Sequence, residues 1–426
     1  MSHKEELFSN RKALVLAGGV PQRELIKKLK ERGYYVILAD YTERPVASDV
    51  ADVFFRESTL DVPAIRAIAV NECVDLIITC CTDQALATVS LLSEELGLPC
   101  YVGSQTGLAV TNKAAMKKKF VAGGIPTAAF MTVHSFADAK EFLEKKAPPF
   151  VVKPADCNSS KGVVSIEKQE ECADVIKAAV SMSRTETAVI ECYVNGIELS
   201  VDCFIQDGKT HILCISKSEK IEGGNGFIIC RGIYNPELHE RYLDKMQHIA
   251  SRIAEAFGLD NCPMLIQVIA SGDELSVVEF SARTGGCIKY RMIELASGFD
   301  IIDATINATL GVKQPIKLTM ADEVIVNEFV YCRPGTFHEL VNFEKGKDEG
   351  LIENYFLLKS SGTVFEGVSS SGDRVAAVTI TARSLAHYRE KLNKLAQIVD
   401  VVDRDGKSMI RRDLLLRGSL VGGLTP

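Results

Sequence analysis

The sequence predicts a mixed α/β and α+β chain: a doubly wound parallel sheet first, a strand-rich middle, and a small α+β end. Three observations carry this. Residues 12–110 alternate short apolar runs with helical patterns, the mark of parallel strands joined by helices. From about 113 to 318 strands dominate and many are joined by short turns such as QDGK (206–209) and GDE (272–274), the mark of antiparallel pairing. From 320 onward strand and helix patterns alternate again. The boundaries are drawn at 1–111, 112–318 and 319–426, and a length of 426 residues fits about three domains.

In the first region KALVLAGG reads as a strand ending in a Gly-Gly turn. Pro21 opens a helix with Leu25, Ile26 and Leu29 on one face, and Gly33 closes it. YVILAD is a second strand, Val62–Val70 a helical segment, DLIITCCTD a third strand, and Gln84–Leu96 a helix capped by Gly97. In the middle region the expected strands are 149–153, 162–166, 188–192, 197–205, 211–216, 226–230, 264–270 and 275–280. One strong amphipathic helix spans 236–257: Leu238, Tyr242, Met246, Ile249, Ile253 and Phe257 step at helical spacing, and Gly258 follows as a cap. Toward the end VIVNEFVY and VAAVTITA read as strands, Leu385–Val399 as a helix, and VDVVDRDG as a strand and turn. RGSLVGGLTP reads as a loose tail.

Composition narrows the function classes. A net charge of -7 argues against an electrostatic nucleic-acid binder but leaves room for a local basic pocket. Thirteen cysteines, an odd number with no C-x-x-C pair, read as reduced thiols rather than a disulfide framework. Seven dispersed histidines show no zinc spacing. MSHKEELFSNRK lacks the apolar core of a signal peptide, and no run approaches the roughly 18 apolar residues of a membrane span. The expectation is a soluble cytoplasmic protein with no membrane partner. Gly18-Gly19 does not complete a G-x-G-x-x-G fingerprint, and no P-loop motif is present.

Four features of the middle region suit chemistry. In PFVVKPADCNSSKGVVSI, Lys153 ends a strand and is followed by a loop holding Ser159, Ser160, Lys161 and Gly162. Charge, hydroxyls and closely approaching N–H groups are what polyphosphate oxygens need, although a solvated hairpin would look the same. In AVIECYVNGIELSVD a strand ends near Glu191, crosses Tyr193 and Val194, and resumes with Glu198. Such a crossing can present backbone groups to an adenine edge and a carboxylate to a ribose; a surface acid on an alternating strand is the plain alternative. In ELSVVEFSARTGGCIKYRM, Glu279, Ser281 and Arg283 share one strand face. A carboxylate with a neighbouring oxygen suits Mg²⁺, the arginine suits a transferring phosphoryl group, and Thr284-Gly285-Gly286 would open a helix favouring an anion. Finally, the hairpin turn at Gly272-Asp273 would set Gln267 beside Glu279 as a second oxygen ligand, or leave Gln267 as a satisfied buried amide.

The order of these features resembles the ATP-grasp superfamily, and within it the single-domain carboxylate–amine ligases. The run is a Rossmann-like domain, the lysine-bearing TNKAAMKKKF, PFVVKP, a Ser/Gly loop, ECYVNGIE, an Ile-Gln-Val strand, and EFSARTGG. The likeness spans 12–318 and, more loosely, the C-terminal domain. It implies a Rossmann-like domain, an ATP-grasp fold of two α+β subdomains holding ATP, and a small α+β domain. It also implies roles. Lys113 and Lys153 would contact phosphates under a lid of Ser159–Gly162. Glu191, Tyr193 and Val194 would frame adenine, and Glu198 would take the ribose. Gln267 and Glu279 would hold Mg²⁺ (or Mn²⁺), with Ser281 reaching it directly or through water, and Arg283 would stabilise the transition state. Serine stands where many members carry Asn, and Gln267 where many carry an acid.

The implied reaction is ADP-forming: a carboxylate attacks ATP to give an acyl phosphate, and an amine then displaces phosphate. For these small-molecule acid and amine substrates Lys220, Arg231, Gly285, Gly286, Lys289 and Arg291 are candidates, with Asp83 facing the same cleft from the first domain. The lysines at 117–119 read as a solvated helix face. The resemblance allows a homodimer. Alternatives are a phosphoribosylamine–glycine ligase type of purine enzyme and a non-catalytic ATP-binding relative.

Overall fold

The computed structural model describes residues 11–157, 161–221 and 227–416. Strands β1 (Lys12–Leu16), β2 (Tyr35–Ala39), β3 (Val53–Phe55) and β4 (Leu76–Ile78) form a parallel sheet in the order β3-β2-β1-β4. In β1 and β2 every residue after the first is buried, as in strands covered on both faces. The order reverses between β1 and β4, and the crevice at such a reversal lies beyond the strands' carboxyl ends. Here those ends continue into Ala17–Gly19 and Cys81–Asp83, which line a cavity described below.

A second sheet is antiparallel: β5 (Phe130–Val133), β6 (Phe150–Pro154), β7 (Val164–Ile166) and β8 (Ala188–Cys192), in the order β5-β8-β6-β7. It closes its own small core, in which Phe142 and Leu143 of the helix Phe136–Lys145 and Ile176 of the helix Cys172–Met182 cover Phe150, Val152 and Ile190. Each of these helices buries only three residues, a face too narrow to stand out in the sequence.

The third sheet has eight strands. It runs β13 (Glu274–Ser281), β12 (Cys262–Ser271), β9 (Ile197–Gln206), β10 (Lys209–Lys220) and β11 (Ile229–Tyr234), then Val324–Tyr331, Arg374–Ala382 and Asn354–Leu357. The strand expected at 226–230 therefore sits later, at Ile229–Tyr234, where it bridges β10 and Val324–Tyr331. The same pairing carries the sheet across 318/319, so the C-terminal strands extend the central sheet rather than standing apart. The helix expected to open at Thr284-Gly285-Gly286 starts only at Lys289.

Packing fixes the parts. The helix Pro236–Phe257 covers one face of the large sheet through Tyr242, Met246, Ile249 and Ile253, with Gly258 capping it in the left-handed region. Phe120, Phe257 and Phe280 cluster with ring centroids 4.4 to 6.1 Å apart, locking the helix Lys113–Ala122 onto β13. A second apolar cluster runs from Val15, Leu38 and Ile78 of the parallel sheet through Ile293 and Ile302 to Phe204, Ile325 and Ala377. The parallel sheet and the large sheet thus share one core, while the β5–β8 sheet keeps its own.

Candidate active site

Two confluent cavities lie between these bodies. The first, about 720 Å³, separates the β5–β8 sheet from the large sheet; the second, about 590 Å³, lies between the ends of β1 and β4 and the large sheet. Both are of ligand size. They share Lys113, Cys157, Ser218, Ile229, Gln267 and Glu279, which mark the seam.

In the first lobe Lys153 stands at the end of β6, where Val152 before it is buried in the core and Pro154 pairs with Ala188. Its ammonium lies 2.9 Å from Glu191 Oε1 on the adjacent strand β8. Glu191 Oε2 accepts from Lys117 at 2.9 Å, and Lys117 also donates to Thr127 Oγ1 at 2.6 Å. This corrects the reading of Lys117 as a solvated residue: it is 1 % exposed, and Glu191 is 4 % exposed. The carboxylate of Glu191 is engaged by two lysines instead of being free for a nucleobase. Burial opposes its charge, but Lys153 and Lys117 prevail and hold its carboxyl below the usual glutamate range. Burial, together with the like charge of Lys153, pulls the Lys117 ammonium down, with Glu191 opposing. Tyr193 and Val194 line the same lobe. Glu198 faces it from β9, accepting from Lys220 at 2.6 Å and from Gln267 Nε2 at 3.3 Å.

At the seam Gln267 and Glu279 are Cα partners across β12 and β13, brought opposite each other by a register shift between Gln267 and Val268. Lys113 lies 3.3 Å from Glu279 and donates to Cys157 O at 2.6 Å. Burial lowers the Lys113 pKa, but Glu279 and Asp83 outweigh it and the net shift is upward.

In the second lobe Arg283 meets Asp83 in a bidentate pair, Nε–Oδ1 2.8 Å and Nη2–Oδ2 2.6 Å, joining the large sheet to the first domain. Burial disfavours the Asp83 charge, yet Arg283 keeps its carboxyl below the ordinary range. Ser281 is buried and lines this lobe. Lys289 bonds Ser216 Oγ and lies 3.5 Å from Asp202, whose other oxygen accepts from Gly285 N–H at 2.7 Å. A Cβ on Gly285 would stand 2.5 Å from Lys289 Cγ, so only glycine lets the backbone approach Asp202. Burial raises the Asp202 carboxyl above its usual range despite Lys289. Gly286 lines the same wall.

Two expected substrate residues lie elsewhere. Arg231 is 2 % exposed, pairs with Glu328 at 2.9 Å and donates to Leu415 O, and lines neither lobe. It serves the core because β11 is an interior strand. Arg291 pairs with Glu294 and Glu353 outside both lobes, since two positions on from Lys289 along the same helix it faces another side. Ser159 and Ser160 fall outside the described residues. Lys161 is exposed and lines neither lobe, while Gly162 has φ +70°, with Pro154 and Met182 packed where a Cβ would be. Sequence reasoning did not find Lys117 or Asp202, nor the C-terminal wall of the second lobe. For Asp202 one signal was available: an acid in an otherwise buried strand.

Comparison with known proteins agrees with this geometry. Residues 146–290 match the ATP-grasp domain family model. Over 306 residues the chain is 25% identical to an L-arginine-specific L-amino acid ligase of Bacillus subtilis, covering 68% of this chain and 72% of that protein. It is also 25% identical over 328 residues to a phosphoribosylamine–glycine ligase of Chlorobaculum tepidum, covering 71% and 75%. Among solved structures, an L-amino acid ligase from Bacillus licheniformis superposes with a TM-score of 0.75 at 17% identity, over 93% of this chain and 99% of that one. The matched residues supply most of the first lobe and of the seam, the likeness of fold continues through the remainder, and residues 146–290 match the ATP-grasp domain family.

Proposed function

We propose that this protein is an ATP-dependent, ADP-forming ligase that joins a carboxylate to an amine through an acyl phosphate. The observation that carries the reading is the seam. Gln267 and Glu279 stand where both lobes meet, with Lys113 beside them, Lys153 in the first lobe and Arg283 in the second. A nucleotide in the first lobe and an acid in the second would bring the γ-phosphate and the attacking oxygen together there. Tyr193 and Val194 would flank the base, Glu198 the ribose, and Lys113 and Lys153 the phosphates, with the segment around Lys161 and Gly162 as cover. The amino-acid ligase relative supports amino acids as the acid and the amine. All thirteen cysteines are free, which supports a reducing, cytoplasmic setting, and no described helix is long and apolar enough to cross a membrane.

The residues present fit Mg²⁺, and Mn²⁺ by the same donors: Glu279 offers a carboxylate and Gln267 an amide oxygen, hard ligands on paired strands. When bound, the ion would neutralise phosphate charge. Among the described residues no group of three His, Cys, Asp or Glu is placed to hold a metal. Calorimetry with Mg²⁺ alone should therefore show no saturable binding, and addition of ADP should restore it; tight binding of the metal alone would refute the Gln267–Glu279 assignment.

In the first step a carboxylate oxygen attacks the γ-phosphorus, the bond to the ADP oxygen breaks, and the acyl phosphate forms. Arg283, fixed in plane by Asp83, faces the charge that spreads over the phosphoryl oxygens, with the lysines beside the departing phosphates. In the second step the amine forms the C–N bond, phosphate leaves the acyl carbon, and the amine loses a proton. Closure against water matters because acyl phosphates hydrolyse readily. Screening amino-acid pairs for Mg²⁺- and ATP-dependent phosphate release tests this. Release that needs both an acid and an amine is expected; tight ATP binding with no turnover for any pair would overturn it in favour of a non-catalytic relative.

A further inference from the structure

The cations that line the two lobes are not all balanced. Lys113, Lys153, Lys217, Lys220, Arg283 and Lys289 each have a carboxylate partner at ion-pair distance. Arg374 and Lys359 do not, among the described residues, and both line the second lobe from its C-terminal wall. They sit on neighbouring stretches, since Leu358 N–H donates to Val375 O at 2.9 Å.

Arg374 is held in place entirely by neutral groups. Its guanidinium lies 3.6 Å from the ring centroid of Phe329. Its Nε donates to Tyr331 Oη at 3.1 Å, and its Nη2 to Ile229 O at 3.0 Å and to Ser371 Oγ at 3.3 Å. The acid adjacent in sequence, Asp373, turns its carboxylate away to accept from the N–H groups of Ser369 and Ser370, each at 2.8 Å. The Cys287 thiol beside Arg374 is kept neutral, its pKa pushed up mainly by burial. Lys359 is half-buried and has no hydrogen-bond or ion-pair partner among the described residues. A stacked, oriented guanidinium and an unpaired ammonium on the same wall, in a cavity that balances every other lining cation, lack only an anion.

We propose that this wall is an anion-receiving subsite, and that one substrate carries a second anionic group, a carboxylate or a phosphate, on the end remote from the reacting centre. The proposal rests on the ligase reading for its word "substrate", but not for the binding it asserts. Arg374 and Lys359 receive the distal anion in the second lobe, while the reacting end lies at the seam beside Arg283 and Glu279. The wall thus selects a molecule by its far end and sets its reach across the lobe.

Two matched pairs of probes test it on the full chain with Mg·ADP present: L-glutamate against L-glutamine, and O-phospho-L-serine against L-serine. Calorimetry should show at least one charged member binding about tenfold or more tightly than its neutral partner, as a charge-assisted bond in a partly buried site allows. The pair showing the preference identifies carboxylate or phosphate. Lys359→Gln, which breaks no bond of the fold, and Arg374→Gln should each remove most of that preference without changing ADP affinity. The proposal is overturned if neither charged probe binds better than its neutral partner, or if the preference survives in both variants. The preference without phosphate release from any pair would sink the ligase reading and leave the subsite standing. Release at equal kcat/KM for charged and neutral substrates would do the reverse.

Discussion

Replacing Arg283 by alanine should lower kcat for ADP release by about 10³-fold, or about 4 kcal/mol, with KM for Mg·ATP changed by less than about threefold. Arg283 lines the second lobe and not the nucleotide lobe, so nucleotide binding should be spared. Its side chain is 12% exposed, so its charge acts where water screens little. Arg283→Lys should recover little, because an ammonium can neither match the two oxygens of Asp83 nor keep the guanidinium plane. Removing Arg283 also leaves Asp83 without its partner, so Asp83→Asn/Arg283→Ala is the control that separates lost chemistry from a disturbed domain contact. Steady-state kinetics with matched urea midpoints decides it. A wild-type-like kcat in a folded Arg283→Ala protein would remove Arg283 from the transition state.

The seam was legible because it is local. A tight turn at Gly272-Asp273 brings the two strands together, which places Gln267 near Glu279; plain counting along the hairpin would pair Gln267 with Val278, and a register shift at Gln267/Val268 moves the pairing on to Glu279. Lys153 at a strand mouth was legible for the same reason. Long-range partners were not. Lys117 sits in a lysine run that reads as solvent-facing, and its partner Glu191 lies 74 residues on. Arg231 looked like a substrate ligand because it lies in a stretch rich in Lys, Gly, Asn and Arg (216–236), just past the strand expected at 226–230. In the molecule that strand is interior, and Glu328 arrives from beyond the expected domain boundary. The wall bearing Arg374 escaped notice for a related reason: it reaches the cavity only because the large sheet continues through Val324–Tyr331 and Arg374–Ala382.

The Lys117–Glu191–Lys153 cluster should show unequal costs for its three members. It holds two positive charges and one negative, all largely buried. Removing Glu191 leaves two ammonium groups facing one another without a counter-charge. Removing Lys117 leaves a one-to-one pair of Lys153 and Glu191. Breaking a buried ion pair by deleting one partner costs about 3–5 kcal/mol when the survivor is left uncompensated. Glu191→Gln, which keeps the shape and removes the charge, should fall in that range. Lys117→Met should cost less than about 2 kcal/mol, because its own ammonium is already disfavoured by burial and by Lys153, and the remaining pair is compensated. The pH dependence has a definite sign. The folded-state pKa of Glu191 is depressed, so its contribution is fully present above the ordinary glutamate range and disappears as pH falls through the lower folded value. The difference in urea midpoint between wild type and Glu191→Gln should therefore be as large at pH 5.5 as at pH 7, shrinking only in stronger acid. Nucleotide affinity should follow the same order, since Glu191 holds Lys153 at the mouth of β6. A Lys117→Met protein less stable than Glu191→Gln, or a gap already closing between pH 7 and 5.5, would show that Glu191 is not the charge around which the cluster is built.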